Sequence, residues 1–580
     1  MNCLKLESES KTMQSEDQYT QNIIDVYLDG LHLNYMNGVS FYAENPLVEL
    51  EMILYSSFLH EPSFYNPAMD SDIKQDVHKH LEHFLLFPSH NLKSRQRIFF
   101  DSANRALSYD FKNTLQLAVK ARRQFFMRKS PCELIAIAAA HVERPNFNKN
   151  NELFFRKIVK DVCYIPPDMI FILDSWKLLK GSKAGFPTIL KKAFCDILEE
   201  LSPYHMNKYR RACIDAINIA HPKENAYMKE LLKSGKIEME EKNLTWETLM
   251  CQYGSWEKTL SKLEWKLPHM ACLRNLRGFA LKVRDEKLIR RYCDILEEGV
   301  IGGKQFPFQY LTAYESLDRV SKTFSRRNDN KVFYKKGIRK CDLAIMKESL
   351  ERCIQKSIET LPKLKGETII LTDNSGSAWN SFQSSYGSRT IAEIGNMSAL
   401  ITGLSCEGPC VIGLFGDTLI EYEVDKKKSF FENYNAIQEI VGTRGKNVGL
   451  NTENGLWVFF KRAMKNPEKY KFDNFFCYSD QQAGHGGLYG CDPEMDKEWY
   501  WPCENENRNN YNYIHLPKLI EHYRTIINKK LNVFTVQTAG YNDSICPQSL
   551  YRYDILAGWT GQESRFAYEK IKLWNKLEQN

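Results

Sequence analysis

Apolar residues recur at i, i+3/i+4 and i+7 through most of residues 45–365. That period predicts amphipathic helices over Leu115–Phe126, Leu134–Ala140, Phe154–Cys163, Phe171–Leu179, Ile189–Leu201, Arg211–Ala220, Leu260–Lys266, Leu288–Glu298 and Leu343–Ile358. Pro131, Pro145, Pro166-Pro167, Gly181, Pro203, Pro222, Gly235 and Pro268 punctuate the runs. Helices of this length joined by short turns predict an α-solenoid of HEAT-like helical repeats, without a strict repeat period.

The pattern changes at Leu361-Pro362-Lys363-Leu364-Lys365-Gly366. Strand-like runs at Glu367–Thr372, Cys410–Phe415, Thr418–Val424, Phe475–Tyr478 and Asn532–Gln537 then alternate with helical stretches. The helices fall at Thr390–Leu404, Phe430–Ile440, Asn454–Met464, Leu516–Ile527 and Gln562–Leu577. Such alternation predicts an α/β doubly wound domain, a parallel sheet covered on both faces. The division is a polar acidic segment at 1–40, a helical domain at 41–362 and an α/β domain at 363–580.

Composition changes little: 580 residues with 43% hydrophobic and 26% charged residues exclude wholesale disorder and imply more than one domain. The most apolar stretches, such as Leu134–Val142, are too short to span a membrane. The polar start, Met1–Thr20, does not read as a signal peptide. Sixteen scattered cysteines with no CxxC pair read as reduced thiols of a cytoplasmic protein.

Charge changes the picture more. Residues 1–90 carry a net −10, residues 91–365 a net +21 and residues 366–580 a net −4. Clustered positive charge is the footprint of a phosphate-backbone partner. The basic clusters are interleaved with rings: Lys120–Lys129, containing Arg122, Arg123, Phe125 and Phe126; Lys208-Tyr209-Arg210-Arg211; Arg319–Arg327; and Lys331–Lys336. Cations neutralise phosphates while rings stack on unpaired bases, which RNA offers more readily than duplex DNA; together they favour a nucleic acid over an acidic protein, the other reading being a solvated Lys-rich helical surface.

Asp373-Asn-Ser375-Gly-Ser377 follows the first strand of the α/β domain, where such sheets bind ligands. One carboxylate and two hydroxyls on a tight loop suit a hard cation such as Mg²⁺. Thr452 leads into a helix and Asp480 ends a strand, and both offer further oxygens; Thr443 is the other threonine near this position. The same loop also reads as a Ser-rich helix cap without metal. No base–nucleophile pair stands out, so no hydrolytic activity is expected and the chain is read as a non-enzyme. Residues 481–513 form a long insertion with Trp499, Tyr500 and Trp501, readable as a recognition flap or as a decoration. His485, Cys491 and Cys503 are its candidate ligands for a second metal.

Asp-x-Ser-x-Ser after a strand, then Thr452, then Asp480, resembles the metal-ion-dependent adhesion site of the von Willebrand factor A domain. The resemblance implies that Asp373, Ser375, Ser377, Thr452 and Asp480 hold a divalent cation whose shell a partner's carboxylate completes. Trp256-Glu257-Lys-Thr-Leu260 and Leu267-Pro268-His-Met270-Ala271-Cys-Leu273-Arg274-Asn275-Leu276-Arg277 resemble a signature of the TROVE module. Asn45–Val48, Cys163–Pro166, Ile219–Lys223 and Phe306–Phe308 fit its other strips in order.

A TROVE module followed by an A domain resembles the Ro autoantigen family over residues 40–580. That resemblance implies a ring of helical repeats closed by the A domain. It implies small noncoding Y-like RNA on the outer basic surface. It also implies single-stranded 3′ ends of misfolded RNAs in a central hole, an exoribonuclease partner in some relatives, no membrane, and a monomer. His221 matches the family's Y-RNA-contacting His, and Lys208 falls on a family Arg with the same role. A family Lys is replaced by Tyr204, and Lys191, Lys192, Arg210 and Arg211 stand nearby to compensate. The alternatives are a metal-dependent protein–protein adhesion scaffold and a telomerase- or vault-associated TROVE protein.

Overall fold

The structure is a computed structural model. It describes residues 31–33, 39–43, 45–56, 94–238, 244–303, 305, 307–321, 327–328, 331–332, 338–380, 390–449, 455–479, 481, 499, 514–538, 544–557 and 561–579. Helices follow one another from Pro46–Ser56 to Lys340–Glu359. Among the described residues, a short hairpin precedes them, β1 (Leu31–Leu33) paired with β2 (Val39–Phe41), and a second interrupts them, β3 (Arg327–Asn328) paired with β4 (Lys331–Val332).

The punctuation read from the sequence corresponds to helix ends. Asp110, Asn225, Thr245, Ser255 and Asp285 each accept a first-turn backbone N–H with the side chain. Pro166-Pro167 and Pro203 open helices, where a missing N–H costs nothing. Gly235 and Gly254 close helices in the left-handed conformation.

Ion pairs show the repeat. Between the helices Arg144–Val162 and Thr188–Glu200, Lys192 meets Glu152 at 2.7 Å, Arg156 meets Asp196 at 2.8 Å, and Lys160 meets Glu200. Each pair is offset by 40 residues, so the two helices run parallel as equivalents in successive repeats. In the second half the offset differs among the described residues: Arg352 binds Glu297 across 55 residues. This variation is why no single period shows in the sequence.

The clamp at the first turn of Pro166–Lys180 is the best-buried charge cluster. Asp168 is fully buried and receives Arg122 and Arg128, each at 2.8 Å. It also accepts the backbone N–H groups of Tyr164 and Ile165 at 3.0 and 3.2 Å. The helix N-terminus adds favourable dipole field to the carboxylate.

In the α/β domain, β5 (Thr368–Asp373), β6 (Cys410–Phe415), β7 (Leu419–Glu423), β8 (Asn474–Ser479), β9 (Asn532–Gln537) and β10 (Tyr553–Ala557) form one sheet. Its order is β10-β9-β8-β5-β6-β7, with only β7 antiparallel. Strand residues alternate between two faces. Ile370, Ile412, Phe476 and Phe534 pack with the helices Ile391–Ser405 and Phe430–Val441. Ile369, Leu371, Phe475 and Val533 pack with Gly455–Lys465 and Leu516–Ile526. The edge strand β10 carries no strong apolar alternation and was not expected; Asp554 there pairs with Lys570 at 3.1 Å.

Both ends of the helical block meet this domain. Phe41 exchanges backbone bonds of 2.8 and 3.1 Å with Ser544, so the first residues of the expected helical domain pair with the A-type domain. Phe125 stacks between Tyr55 at 4.0 Å and Phe566 at 4.8 Å. On the other side Tyr314 stacks on Phe431 at 3.9 Å. One apolar core runs without a break from Trp256 to Ala567, and Phe566 also packs against the core of Leu50–Ile237. The solenoid is thus a ring closed through the α/β domain.

Asp168→Ala should lower unfolding free energy by about 3–5 kcal/mol, because Arg122 is left buried without its counter-charge. Urea unfolding followed by far-UV circular dichroism checks this; a change below about 1 kcal/mol would contradict the clamp.

Candidate metal centre and basic groove

Asp373 is the last residue of β5, which lies between β8 and β6. The chain leaves that point in opposite directions along the sheet, so a crevice opens at the carboxyl ends of the strands. Asp373 is 4% exposed and Ser375 5%, and the Ser375 backbone N–H donates to Asp373 Oδ1 at 2.8 Å. Asn374 anchors the loop underneath. Its Nδ2 donates to the Thr372 carbonyl and to Asn396 Oδ1 at 3.0 Å each, and Asn396 Nδ2 returns 2.8 Å to Asn374 Oδ1. The helix Gly376–Asn380 starts at once and contains the Ser377 backbone.

The turn Thr443–Gly445 closes over the loop. A Cβ at Gly445 would sit 2.6 Å from the Asn374 carbonyl oxygen, so this approach requires glycine. Thr443, in that turn, is exposed, while Asp373 and Ser375 are buried. Thr452, Asp480, His485, Cys491 and Cys503 lie outside the described residues, as does the Ser377 side chain. Ser479, just before Asp480, ends β8 beside β5. The described donors, a carboxylate and a hydroxyl, fit a hard cation. Among the described residues no group of three His, Cys, Asp or Glu side chains could hold a metal on its own.

Within the insertion 481–513, Trp499 is described and 7% exposed. Its carbonyl accepts the His515 N–H at 2.8 Å, and its ring packs 4.8 Å from His522. It pegs the insertion to the helix Leu516–Ile526. His515 caps that helix: neutral Nδ1 accepts the Lys518 N–H at 3.2 Å. Burial, with Lys518 close by, lowers the His515 pKa to about 3.

The basic clusters divide in two. Arg122 leaves the candidate RNA set, because it is 8% exposed and tied to Asp168, the Val162 carbonyl and the Met127 carbonyl. Lys120 pairs with Glu51, Arg128 with Asp168, and Phe125 is buried in the stack described above. Those side chains hold helices together. The clusters Arg319–Arg327 and Lys331–Lys336 fall on side chains outside the described residues.

Lys208-Tyr209-Arg210-Arg211 has the opposite character. The helix Pro203–Lys208 breaks at Tyr209 before Arg210–Ala220 begins. The break opens a groove of about 570 Å³ lined by Tyr204, Lys208, Tyr209, Arg210 and Arg211, with Thr245 and Glu247 opposite. Arg210 and Arg211 are exposed. Lys208 sits 5.9 Å from each of the Tyr204 and Tyr209 rings and 3.9 Å from Glu247. No charge pattern in the sequence pointed to the Thr245–Glu247 wall. His221 is exposed and ends Arg210–Ala220 in the left-handed conformation, φ 54°. It stands at the far end of the helix, roughly 15 Å from Arg210 along the axis. Lys192 is engaged with Glu152, and Lys191 is half-buried.

No known protein family matches by sequence pattern, and no curated protein matches by sequence. The structure is similar to the crystal structure of the Ro (RSR) protein of Deinococcus radiodurans. The TM-score is 0.51 at 11% identity, over 81% of this chain and 93% of that one. The likeness establishes the fold: a ring of helical repeats joined to an A-type α/β domain.

His515 supplies a pH test. Its folded pKa lies below the roughly 6.5 of an unfolded His, so its stabilisation is complete above that value and is lost as pH falls toward 3. Between pH 7 and 5 the loss is about 2 kcal/mol at 1.36 kcal/mol per unit. His515→Asn keeps a capping acceptor. Its stability, measured by denaturant midpoints across that range, should fall by about 2 kcal/mol less than the parent's.

Proposed function

We propose that the chain is a non-enzymatic RNA-binding ribonucleoprotein component of the Ro type. The observation that carries this is a solvent-open cationic groove with aromatic walls on a ring of the Ro fold. Arg210, Arg211 and Lys208 would neutralise the phosphates of a small structured Y-like RNA, and Tyr204 and Tyr209 would meet its unpaired bases. Phosphate contacts position an RNA without reading its sequence. A ring opening would select misfolded RNAs by a free single-stranded 3′ end, because a duplex is too wide to thread. The protein would act in noncoding RNA quality control as a cytoplasmic monomer and hand such RNAs to an exoribonuclease.

In this reading Asp373, Ser375, Ser377, Thr452 and Asp480 hold Mg²⁺ or another divalent cation. The ion supplies an open coordination position for a partner's carboxylate. The buried, backbone-anchored Asp373–Ser375 pair supports that use, and with it a second reading, a metal-dependent protein–protein scaffold. A Ser–His contact elsewhere does not suggest nucleophilic catalysis. His141 lies 3.2 Å from Ser108, but its Nδ1 accepts the Glu143 N–H, so Nε2 carries the proton and cannot serve as base.

Gel-shift titration of a stem-loop RNA with a single-stranded 3′ tail tests the groove. The triple variant Lys208→Glu, Arg210→Glu, Arg211→Glu should bind at least about tenfold more weakly and show a shallower salt dependence, by roughly 1–3 in slope. Unchanged affinity and slope would overturn the RNA reading. Asp373→Ala should leave RNA affinity within about twofold, since the loop and groove lie in different domains. Loss of a protein partner in Asp373→Ala, with RNA binding absent in the parent, would favour the scaffold.

A further inference from the structure

The wall opposite the cations of the groove carries a carboxylate. Glu247 lines the same cavity as Lys208, Tyr209, Arg210 and Arg211. A negative charge facing a phosphate-binding surface weakens it, so its presence calls for a compensating contact. The wall is built firmly. Thr245 caps the helix Trp246–Tyr253: its hydroxyl accepts the Thr248 N–H at 3.2 Å and meets the Thr248 hydroxyl at 3.0 Å. Trp246 stacks on Trp256, centroids 6.0 Å apart, and packs on the core that runs from Trp256 to Ala567. Tyr209, across the groove, packs on the core of Leu50–Ile237. The groove thus lies between two cores, and their packing sets its width.

The two threonine hydroxyls are occupied by the cap, and the Glu247 carboxylate is not. Among the described residues it accepts no hydrogen bond, and its ion-pair contact is Lys208 Nζ at 3.9 Å. That distance is too long for a hydrogen bond, and the Glu247 side chain is 47% exposed, so the pair is weak and opens readily. A phosphate arriving at Lys208 takes over the ammonium and releases the carboxylate. The part of a nucleic acid nearest a backbone phosphate is the sugar. In RNA that sugar offers a 2′-hydroxyl donor, and in DNA it offers none. RNA therefore repays the carboxylate with a hydrogen bond to a charged acceptor, whereas DNA leaves phosphate facing carboxylate. A base amino group is the other donor that a carboxylate takes. The closeness of Glu247 to Lys208 favours the sugar, because the base edge lies farther from the phosphate.

We infer that Glu247 selects RNA over single-stranded DNA in this groove, by accepting a ribose 2′-hydroxyl beside the phosphate held by Lys208. This rests on the reading of the groove as an RNA site and deepens it from charge neutralisation to recognition of the sugar. The selection works against DNA as much as for RNA: the carboxylate that bonds a ribose repels a backbone without one. It is independent of base sequence, since every ribonucleotide carries the same hydroxyl.

Fluorescence anisotropy tests this with the full-length protein titrated into labelled oligouridine of about eight nucleotides and into oligodeoxyuridine of the same length. The probes share their base, so the sugar alone differs. The parent should bind the ribo-oligomer at least about tenfold more tightly. Glu247→Ala should bring the two affinities within about threefold, chiefly by tightening the deoxy-oligomer. Glu247→Gln removes the charge and keeps an acceptor, so both oligomers should bind more tightly and a reduced preference should survive. A first-turn acid also suits the helix dipole, but losing that benefit changes stability and not the ratio of two affinities. A parent without preference, or a ratio unchanged in Glu247→Ala, overturns the inference. So does a preference for oligocytidine over oligouridine that Glu247→Ala abolishes, which would assign the carboxylate to a base amino group. The groove triple variant should weaken both oligomers; unchanged binding would place them elsewhere and also overturn the inference. Stem-loop RNA that binds the parent and is lost in the triple variant, with the ratio unmoved by Glu247→Ala, sinks the inference and leaves the RNA reading standing.

Discussion

The stack of Tyr55, Phe125 and Phe566 is the contact on which the closed shape depends. It joins the helix Pro46–Ser56, the chain just past Phe111–Arg123 and the helix Glu563–Gln579, the last lying more than four hundred residues from the other two. Aromatic stacking and apolar burial are short-ranged, so this seam tolerates little separation before it is lost. The buried Phe41–Ser544 backbone bridge also crosses to the α/β domain, while the pairs of Lys120 with Glu51 and Lys570 with Asp554 are partly exposed. Exposed pairs of that kind contribute about 0–1 kcal/mol each. The rings carry the closure, and the charged pairs each lie within one of the two parts they join.

Basic residues are split between two tasks by burial. Arg122 and Arg128 are spent on Asp168, and Lys160 and Lys192 on cross-helix pairs. Arg210 and Arg211 remain turned to solvent at a helix break. A net charge summed over a segment cannot separate these populations, because a salt-bridged arginine and a free one count alike. The groove was visible as a Lys-Tyr-Arg-Arg cluster, but its solvent-open character came from the break at Tyr209. That break follows from the Ser202 cap and Pro203 starting a helix of only six residues.

Helix and strand positions were largely legible. The alternation of period in β5, β6 and β9 survives because both faces of the sheet are buried and every strand residue must be apolar or internally bonded. The edge strand β10 escaped, since one open side relaxes that demand. Asp373 and Ser375 were legible as a loop motif, and the fold places them at the reversal of strand order. The ring closure was not legible from periodicity. It depends on Phe125 and Phe566, which look like ordinary members of two amphipathic helices. The resemblance to Ro proteins had suggested it.

The unbroken core from Trp256 to Ala567 bears on how the chain matures. Translation proceeds at about 5–20 residues per second, so the helical part emerges well before the sheet that must cover its second end. During that interval Tyr314 lacks Phe431 and Phe125 lacks Phe566. A half-made molecule therefore shows sticky edges at both termini of its arc, the kind of surface that chaperones hold. The helix Glu563–Gln579, synthesised after both of its partners, is the one that completes the ring.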